Sequence, residues 1–149
     1  MAENLKLARL YVVMLAIVTV GRWMLGFYDV PYEKGTDKLS IVTLTIFASL
    51  FYGAFTRRWL GYRILQAIGL TMTLGLLAQV AIFLSTAAAY ALGIDSYFNH
   101  PTALNQKEAV GFAQAMGLRV GGLVVNTFLA GIAGALGWVM GAILPASSK

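Results

Sequence analysis

The chain has 149 residues, of which 59% are hydrophobic and 11% are charged. Soluble domains usually carry about 25% charged residues, so the composition excludes an ordinary soluble enzyme, and a disordered chain would need the opposite composition. The net charge of +5 comes from basic residues scattered along the sequence, a pattern that does not indicate nucleic-acid binding. Cysteine is absent, which excludes disulfides and thiolate metal sites. The composition predicts an integral membrane protein.

Four apolar stretches are long enough to cross a bilayer as helices, which takes about 20 residues each. They run from about residue 8 to 27, 39 to 56, 64 to 92 and 120 to 144. We therefore predict an all-α integral membrane protein, a bundle of four transmembrane helices forming a single membrane domain over residues 1–149. The third stretch would measure about 44 Å as a helix against roughly 30 Å of hydrocarbon, so we expect it to tilt, kink or project.

The N-terminus has a competing interpretation. Lys6 and Arg9 followed by the apolar run from Leu10 to Val20 would also suit a secretory signal peptide. The apolar stretch resumes after Arg22, however, and no clear A-x-A cleavage site follows. We expect this segment to be retained as the first span.

The segment before the fourth span predicts a further short helix. Thr102, which follows Pro101, is a suitable helix cap, and the helix would run to about Met116. Its weak amphipathic pattern fits either a short interfacial helix or an extension of the fourth span that bends near Gly117.

Basic residues predict the orientation. Arg57, Arg58 and Arg63 fall within one seven-residue turn, and short basic loops stay in the cytoplasm. This places both termini in the cytoplasm, and it places five of the six acids on the opposite side. The expected location is the bacterial inner (cytoplasmic) membrane.

Several residues are expected at the membrane interfaces. They are Arg22, Trp23, Arg57, Arg58, Trp59 and Arg63. Arg22 lies about five residues from the end of the first span, so its side chain could snorkel to the interface. The alternative is a paired arginine that binds an anion, or that holds a neighbouring helix through Asp29 or Glu33.

The interiors of the second, third and fourth spans contain no ionisable residue, which argues against proton-coupled transport and intramembrane catalysis. His100 is a weak candidate for binding haem, pigment or a partner, and an ordinary interfacial role is the alternative. The sequence indicates no cofactor and no metal site. An enzyme at the outer interface would have to use Asp95, His100 and Glu108, which show no recognised acid–base spacing.

Small and uncharged polar residues recur on one face of each of the last three spans. They are Thr45, Ser49, Gly75, Gln79, Thr86, Asn126, Ala130, Gly134, Gly137 and Gly141. Such faces allow close helix packing, within one bundle or between copies of it. The alternative is a polar solute path lined by Thr45, Ser49, Gln79, Thr86 and Asn126, which would need a dimer or a larger assembly.

These observations lead to two functional hypotheses. The first is a small polytopic, non-enzymatic membrane protein that acts through helix–helix association, as an accessory subunit of a larger complex or as a homo-oligomer. The second is an oligomeric channel or facilitator for a small ion or neutral solute. The expected partners are the lipid bilayer and other membrane subunits or copies of the chain, and not nucleic acid. A lipid- or pigment-binding role is a further alternative.

Overall fold

A computed structural model describes residues 6–35 and 39–143. This part of the chain is helical, and its four long helices are named here α1 (Arg9–Phe27), α2 (Ile41–Leu60), α3 (Ile64–Leu92) and α4 (Phe112–Met140). A single helical turn at Tyr32–Gly35 and a 3-10 helix at Pro101–Leu104 interrupt the two longer connections. The all-helical class predicted from the sequence is confirmed for these residues.

Three of the described helices, α1, α3 and α4, are long and apolar enough to cross a membrane, judged by length and composition. They indicate an integral membrane protein. α2 has 20 residues, but its threonines, its serine and the pair Arg57 and Arg58 make it less apolar than the others.

The helix boundaries agree with the predicted stretches to different degrees. α1 and α3 follow the predicted ranges 8–27 and 64–92 closely. α2 continues four residues beyond Thr56 and ends at Gly61, whose φ of +66° is a left-handed conformation that glycine adopts without strain. α4 begins at Phe112, eight residues before the predicted start, because Gly111 is extended and the basic residue Arg119 does not interrupt the helix. The predicted end of the fourth span at residue 144 lies outside the described residues.

Residues 102–116 do not form the single helix that the sequence suggested. Residues 112–116 extend the fourth helix, as the alternative prediction expected, and the first part of the segment forms only a 3-10 helix at Pro101–Leu104. The 3-10 helix is capped by the His100 side chain, which accepts from the Thr102 N–H at 3.3 Å. It ends at Asn105, which is left-handed with a φ of +55°. Residues 105–111 lie outside helices, and α4 then passes through Gly117 without interruption.

α3 is the central helix of the bundle. In its most apolar segment 44% of the residues are buried, against 17% in α1. α4 packs along both α3 and α2, whereas α1 lies against the side formed by α2 and α3. The four helices alternate in direction. The α1–α2 and α3–α4 connections therefore lie at the same end of the bundle, where Tyr97 of the second connection contacts Val30 of the first. The turn around Tyr62 lies at the other end, where the Trp138 indole N–H donates to the Tyr62 carbonyl at 2.8 Å. These are called below the Tyr97 end and the Tyr62 end.

Candidate functional site

Arg22 turns into the protein at the Tyr97 end instead of snorkelling to the lipid surface. Only 8% of its surface is exposed. Its Nη1 donates to the Leu39 carbonyl at 2.9 Å, and its Nη2 donates to the Tyr97 carbonyl at 3.3 Å. The guanidinium carbon also lies 5.5 Å from the Tyr97 ring centre and 5.4 Å from that of Phe98. Carbonyls and aromatic faces replace the interfacial water that a snorkelling arginine would reach.

Tyr97 holds the α1–α2 connection in place, so that this connection covers Arg22. Its hydroxyl lies 2.8 Å from the Val30 carbonyl and 2.9 Å from the Pro31 carbonyl, and the two oxygens share its single hydrogen. Burial raises the pKa of Tyr97 from its ordinary value of 10.0, an effect that the nearby Arg22 charge only partly offsets. The hydroxyl therefore stays protonated at neutral pH and keeps its role as a donor. A Cβ at Gly35 would collide with this hydroxyl, so the helical turn packs directly on it.

Arg119, in the second turn of α4, is the other cation of this end. Its Nε donates to the Thr86 hydroxyl at 2.9 Å, its Nη1 to the Ala103 carbonyl at 3.1 Å and its Nη2 to the Phe98 carbonyl at 2.6 Å. It thereby joins α3, α4 and the 3-10 helix. Sequence reasoning did not predict Arg119 as a site residue. The signal that it missed was Thr86, a polar side chain at matching depth on the neighbouring helix.

Arg22 and Arg119 line one cavity of about 110 Å³. They donate to adjacent carbonyls, those of Tyr97 and Phe98, and their charges are close enough to repel each other. Within residues 6–35 and 39–143, neither guanidinium forms an ion pair with a carboxylate, so the alternative of Arg22 paired with Asp29 or Glu33 is not found. The remaining wall includes Ser40 and the first residues of α2.

A larger cavity of about 500 Å³ adjoins the first one at Arg119. It is a crevice lined mainly by α4 and by residues 102–106, with Val42 of α2 and with Gln79 and Ile82 of α3 completing its wall. Asn126 lies on its α4 wall, so Gln79 and Asn126, both from the middle of their helices, share this space. The crevice therefore extends from the Tyr97 end to about the middle of the bundle.

The crevice also opens sideways. Val42 of α2 and Leu118 and Val125 of α4 line it, and they are 40%, 37% and 57% exposed. Apolar residues that border a polar cavity and also face outward mark an opening toward lipid or toward another chain.

Close contact between helix backbones closes the opposite half of the bundle. A Cβ at Gly53 would collide with the Gly134 carbonyl oxygen, and a Cβ at Gly137 would collide with that of Leu50. At Gly141 the added Cβ would lie 2.7 Å from the Ala54 carbonyl oxygen. The α2–α4 contact at the Tyr62 end thus leaves no room between the helices.

The small residues nearer the middle pack in the same way. A Cβ at Gly75 would lie 2.8 Å from the Cβ of Ala130, and one at Gly134 would collide with the Thr71 side chain. The predicted small-residue faces of α3 and α4 therefore meet each other and α2 within one chain.

The other residues of the predicted solute path lie apart from the crevice. Thr45 is buried and bonds to the Tyr11 hydroxyl, and Thr86 is buried against Arg119. Ser49 is fully buried, and its Oγ is one of three buried side-chain oxygens in the described residues that have no hydrogen-bond partner. Of the five path residues, the structure brings only Gln79 and Asn126 together in a cavity.

The residues expected at the interfaces divide between the two ends. Trp23 is at the Tyr97 end, where its ring lies 5.5 Å from that of Phe98. At the Tyr62 end the Arg57 guanidinium lies 3.8 Å from the Trp138 ring centre, and Trp59 is 53% exposed. Arg58 lies in the last turn of α2, and Arg63 precedes the first residue of α3.

His100 has a structural role in the connection between α3 and α4. Its ring stacks on that of Tyr32, with centres 4.4 Å apart and planes 1° from parallel, while its Nδ1 accepts the Thr102 N–H. Within the described residues, no group of three or more histidine, aspartate or glutamate side chains could hold a metal. Asp95 and His100 both line a surface pocket of about 300 Å³, which does not include Glu108.

No protein-family model, curated protein or solved structure matches this chain. Its function therefore has to be argued from the cavities and their side chains.

Proposed function

We propose that the protein is an oligomeric facilitator for a small ion or neutral solute. The carrying observation is the crevice, which brings Gln79, Asn126 and Arg119 together in about 500 Å³. Amide and guanidinium groups at this depth are costly in lipid unless they meet polar partners or a polar solute. A crevice that continues from the Tyr97 end to the middle of the bundle is half of a permeation path.

An assembly is part of the proposal for two reasons. The crevice has an open side bordered by Val42, Leu118 and Val125, and a second chain would seal it from lipid. In addition, the contacts of Gly53 and Gly137 close the Tyr62 half within one chain. Passage therefore requires either a path completed at a subunit interface or a separation of α2 from α4.

The proposal includes the arrangement in the membrane. α2 packs side by side with α3 and α4 and would measure about 30 Å at 1.5 Å per residue, which matches the hydrocarbon thickness. We therefore propose that α2 also crosses the membrane, which gives four spans in total, that both termini are cytoplasmic and that the host membrane is the bacterial inner membrane.

A flux assay in proteoliposomes tests this function. Purified protein is reconstituted and the efflux of urea, chloride and nitrate is compared with that from empty liposomes. We expect at least one solute to leave at least tenfold faster with protein. We expect this gain to fall to the level of empty liposomes in Gln79→Leu and Asn126→Leu. Thr73→Val is the matched control, because Thr73 is a partly exposed α3 residue outside the crevice lining whose hydroxyl donates to the Gly69 carbonyl of its own helix.

Equal efflux from loaded and empty liposomes for all three solutes would overturn the proposal. So would flux that both leucine variants leave unchanged. The variants are compared only where cross-linking shows the same oligomer as the wild type.

The second candidate is an accessory subunit of a larger membrane complex. The observation that favours it is the wide apolar surface of α1, where Leu10, Ile17 and Val20 are 66%, 64% and 58% exposed. Purification from native membranes in a gentle detergent separates the two candidates. A different protein recovered at fixed stoichiometry, together with no flux, would favour the subunit, whereas recovery of an isolated monomer would count against both.

A further inference from the structure

We infer that the small cavity at the Tyr97 end is an oxyanion-binding site, formed by Arg22, Arg119 and the first turn of α2. The inference deepens the proposed function by naming the class of ligand, and it also stands on contacts of its own. The ligand class is a carboxylate- or phosphate-bearing anion, either free in solution or carried by an anionic lipid headgroup.

The charges of the two arginines favour a bound anion. Two guanidiniums line one cavity of about 110 Å³, and no carboxylate of the described residues forms an ion pair with either. Bringing two like charges together away from water is unfavourable without a counter-ion. A bound anion between them would supply the counter-charge that the described residues do not.

The two guanidiniums also offer hydrogen-bond donors to an oxyanion. A guanidinium has five N–H groups in a planar fork that matches an oxyanion. Arg22 donates through two nitrogens and Arg119 through three, all to carbonyl or hydroxyl oxygens. These contacts hold both planes fixed and leave further N–H groups to bind a ligand.

The start of α2 contributes Ser40, Ile41 and Val42 to the wall of the same cavity. The first four N–H groups of a helix have no acceptor within the helix. The Thr43 N–H donates to the Ser40 side chain, and the Leu44 N–H makes the first helical hydrogen bond, to the Ser40 carbonyl. The N–H groups of Ile41 and Val42 have no acceptor among the described residues, and the helix dipole also favours an anion at this end.

The two sources of the anion differ in how they would reach the site. The cavity adjoins the crevice at Arg119, and the crevice opens sideways past Val42 and Val125. A lipid could therefore place its headgroup at the arginines and its chains outside the crevice. A soluble anion would instead come from the Tyr97 end.

Binding is tested with the full chain in a neutral detergent. Inorganic phosphate is titrated by calorimetry, and retention of phosphatidylglycerol against phosphatidylcholine is measured by native mass spectrometry after exchange from nanodiscs. We expect saturable phosphate binding, selective retention of phosphatidylglycerol, or both. Phosphate alone would identify a soluble ligand, and phosphatidylglycerol alone would identify a lipid.

Four variants separate the site from the overall charge. Arg22→Gln and Arg119→Gln should weaken binding at least tenfold, whereas Lys107→Gln, an equal charge loss on an exposed residue of the same end, should leave it unchanged. Val42→Glu would place a competing carboxylate at a half-exposed position of the wall, so it should also abolish binding. It keeps the test valid if an arginine variant does not fold.

The inference is overturned if neither probe binds to the wild type, or if Lys107→Gln weakens binding as much as Arg22→Gln. It is also overturned if Val42→Glu folds and binds normally. These outcomes are independent of the flux assay. Urea flux that depends on Gln79, without phosphate or phosphatidylglycerol binding, would refute the oxyanion site and leave the proposed function intact.

Discussion

Tyr11 is a side chain of α1 whose hydroxyl lies against both α2 and α3. Its hydroxyl lies 2.8 Å from the Thr45 Oγ1 and 3.2 Å from the Leu74 carbonyl, and Thr45 donates to the Ile41 carbonyl at 2.7 Å. Two hydroxyl hydrogens cannot serve three contacts. The two shorter distances favour a chain in which Tyr11 donates to Thr45 and Thr45 donates to Ile41.

Removing this hydroxyl should weaken the attachment of α1. We expect Tyr11→Phe to lower the free energy of unfolding by about 0.6–2 kcal/mol, the usual contribution of an interhelical hydrogen bond in membranes. Titration of mixed micelles with a denaturing detergent measures the change. Tyr28→Phe is the matched control, because Tyr28 is 72% exposed. A loss of the same size in both variants would contradict the structural role of Tyr11.

Sequence reasoning found half of the arginine pair. The position of Arg22 near the end of an apolar run made it notable, and the two alternatives of snorkelling or anion binding were both physically sound. The direction that the Arg22 side chain takes depends on the α3–α4 connection, where the Tyr97 carbonyl accepts from it. No local sequence pattern around Arg22 indicates this contact. Arg119 was missed because its three acceptors lie 16 to 33 residues away in the chain.

At the scale of helices, the contact between α2 and α4 is a backbone contact. Gly53 and Gly134 bring the backbones of the two helices together near the middle, and Gly137 faces the Leu50 carbonyl one turn further along α4. Because lipid gives little hydrophobic driving force for association, such contacts depend on van der Waals packing, which falls off quickly with distance.

A single methyl group should therefore separate these helices. We expect Gly137→Ala to destabilise the fold by about 1–3 kcal/mol, since the added Cβ would meet the Leu50 backbone and not a flexible side chain. The same substitution at Gly117 in the same helix has nothing within 4 Å and should be neutral or stabilise by up to about 1 kcal/mol. Thermal unfolding in detergent compares the two, and equal midpoints would contradict the close contact.

The predictability of each helix follows from what ends it. α1 and α3 begin and end where apolar runs meet charged residues, proline or glycine, so their bounds could be predicted. The start of α4 could not be predicted in this way, because Arg119 marks the edge of an apolar run but does not end the helix. Its hydrogen bonds to Thr86 and to two carbonyls satisfy the charge inside the bundle, and hydropathy does not record this.

For the whole molecule, the two ends differ in both packing and charge. The Tyr97 end is open, contains the crevice and carries the acids Asp29, Glu33, Asp95 and Glu108 on its connections. The Tyr62 end is closed by glycine contacts and carries three arginines within residues 57–63. If the basic turn is cytoplasmic, the crevice faces the periplasm, and the proposed solute and oxyanion would be taken from that side.

Labelling of single cysteines decides this orientation, and the absence of native cysteine makes each variant unambiguous. Ala109→Cys lies on an exposed part of the connection at the Tyr97 end, and Leu60→Cys lies at the Tyr62 end, where the native side chain is 43% exposed. With intact spheroplasts, we expect a membrane-impermeant maleimide to label Ala109→Cys, and to label Leu60→Cys only after permeabilisation. Arg57 and Arg58 beside Leu60 would hold that end in the cytoplasm, because short basic segments are translocated poorly. The reverse labelling pattern would place the crevice on the cytoplasmic side and contradict the proposed topology.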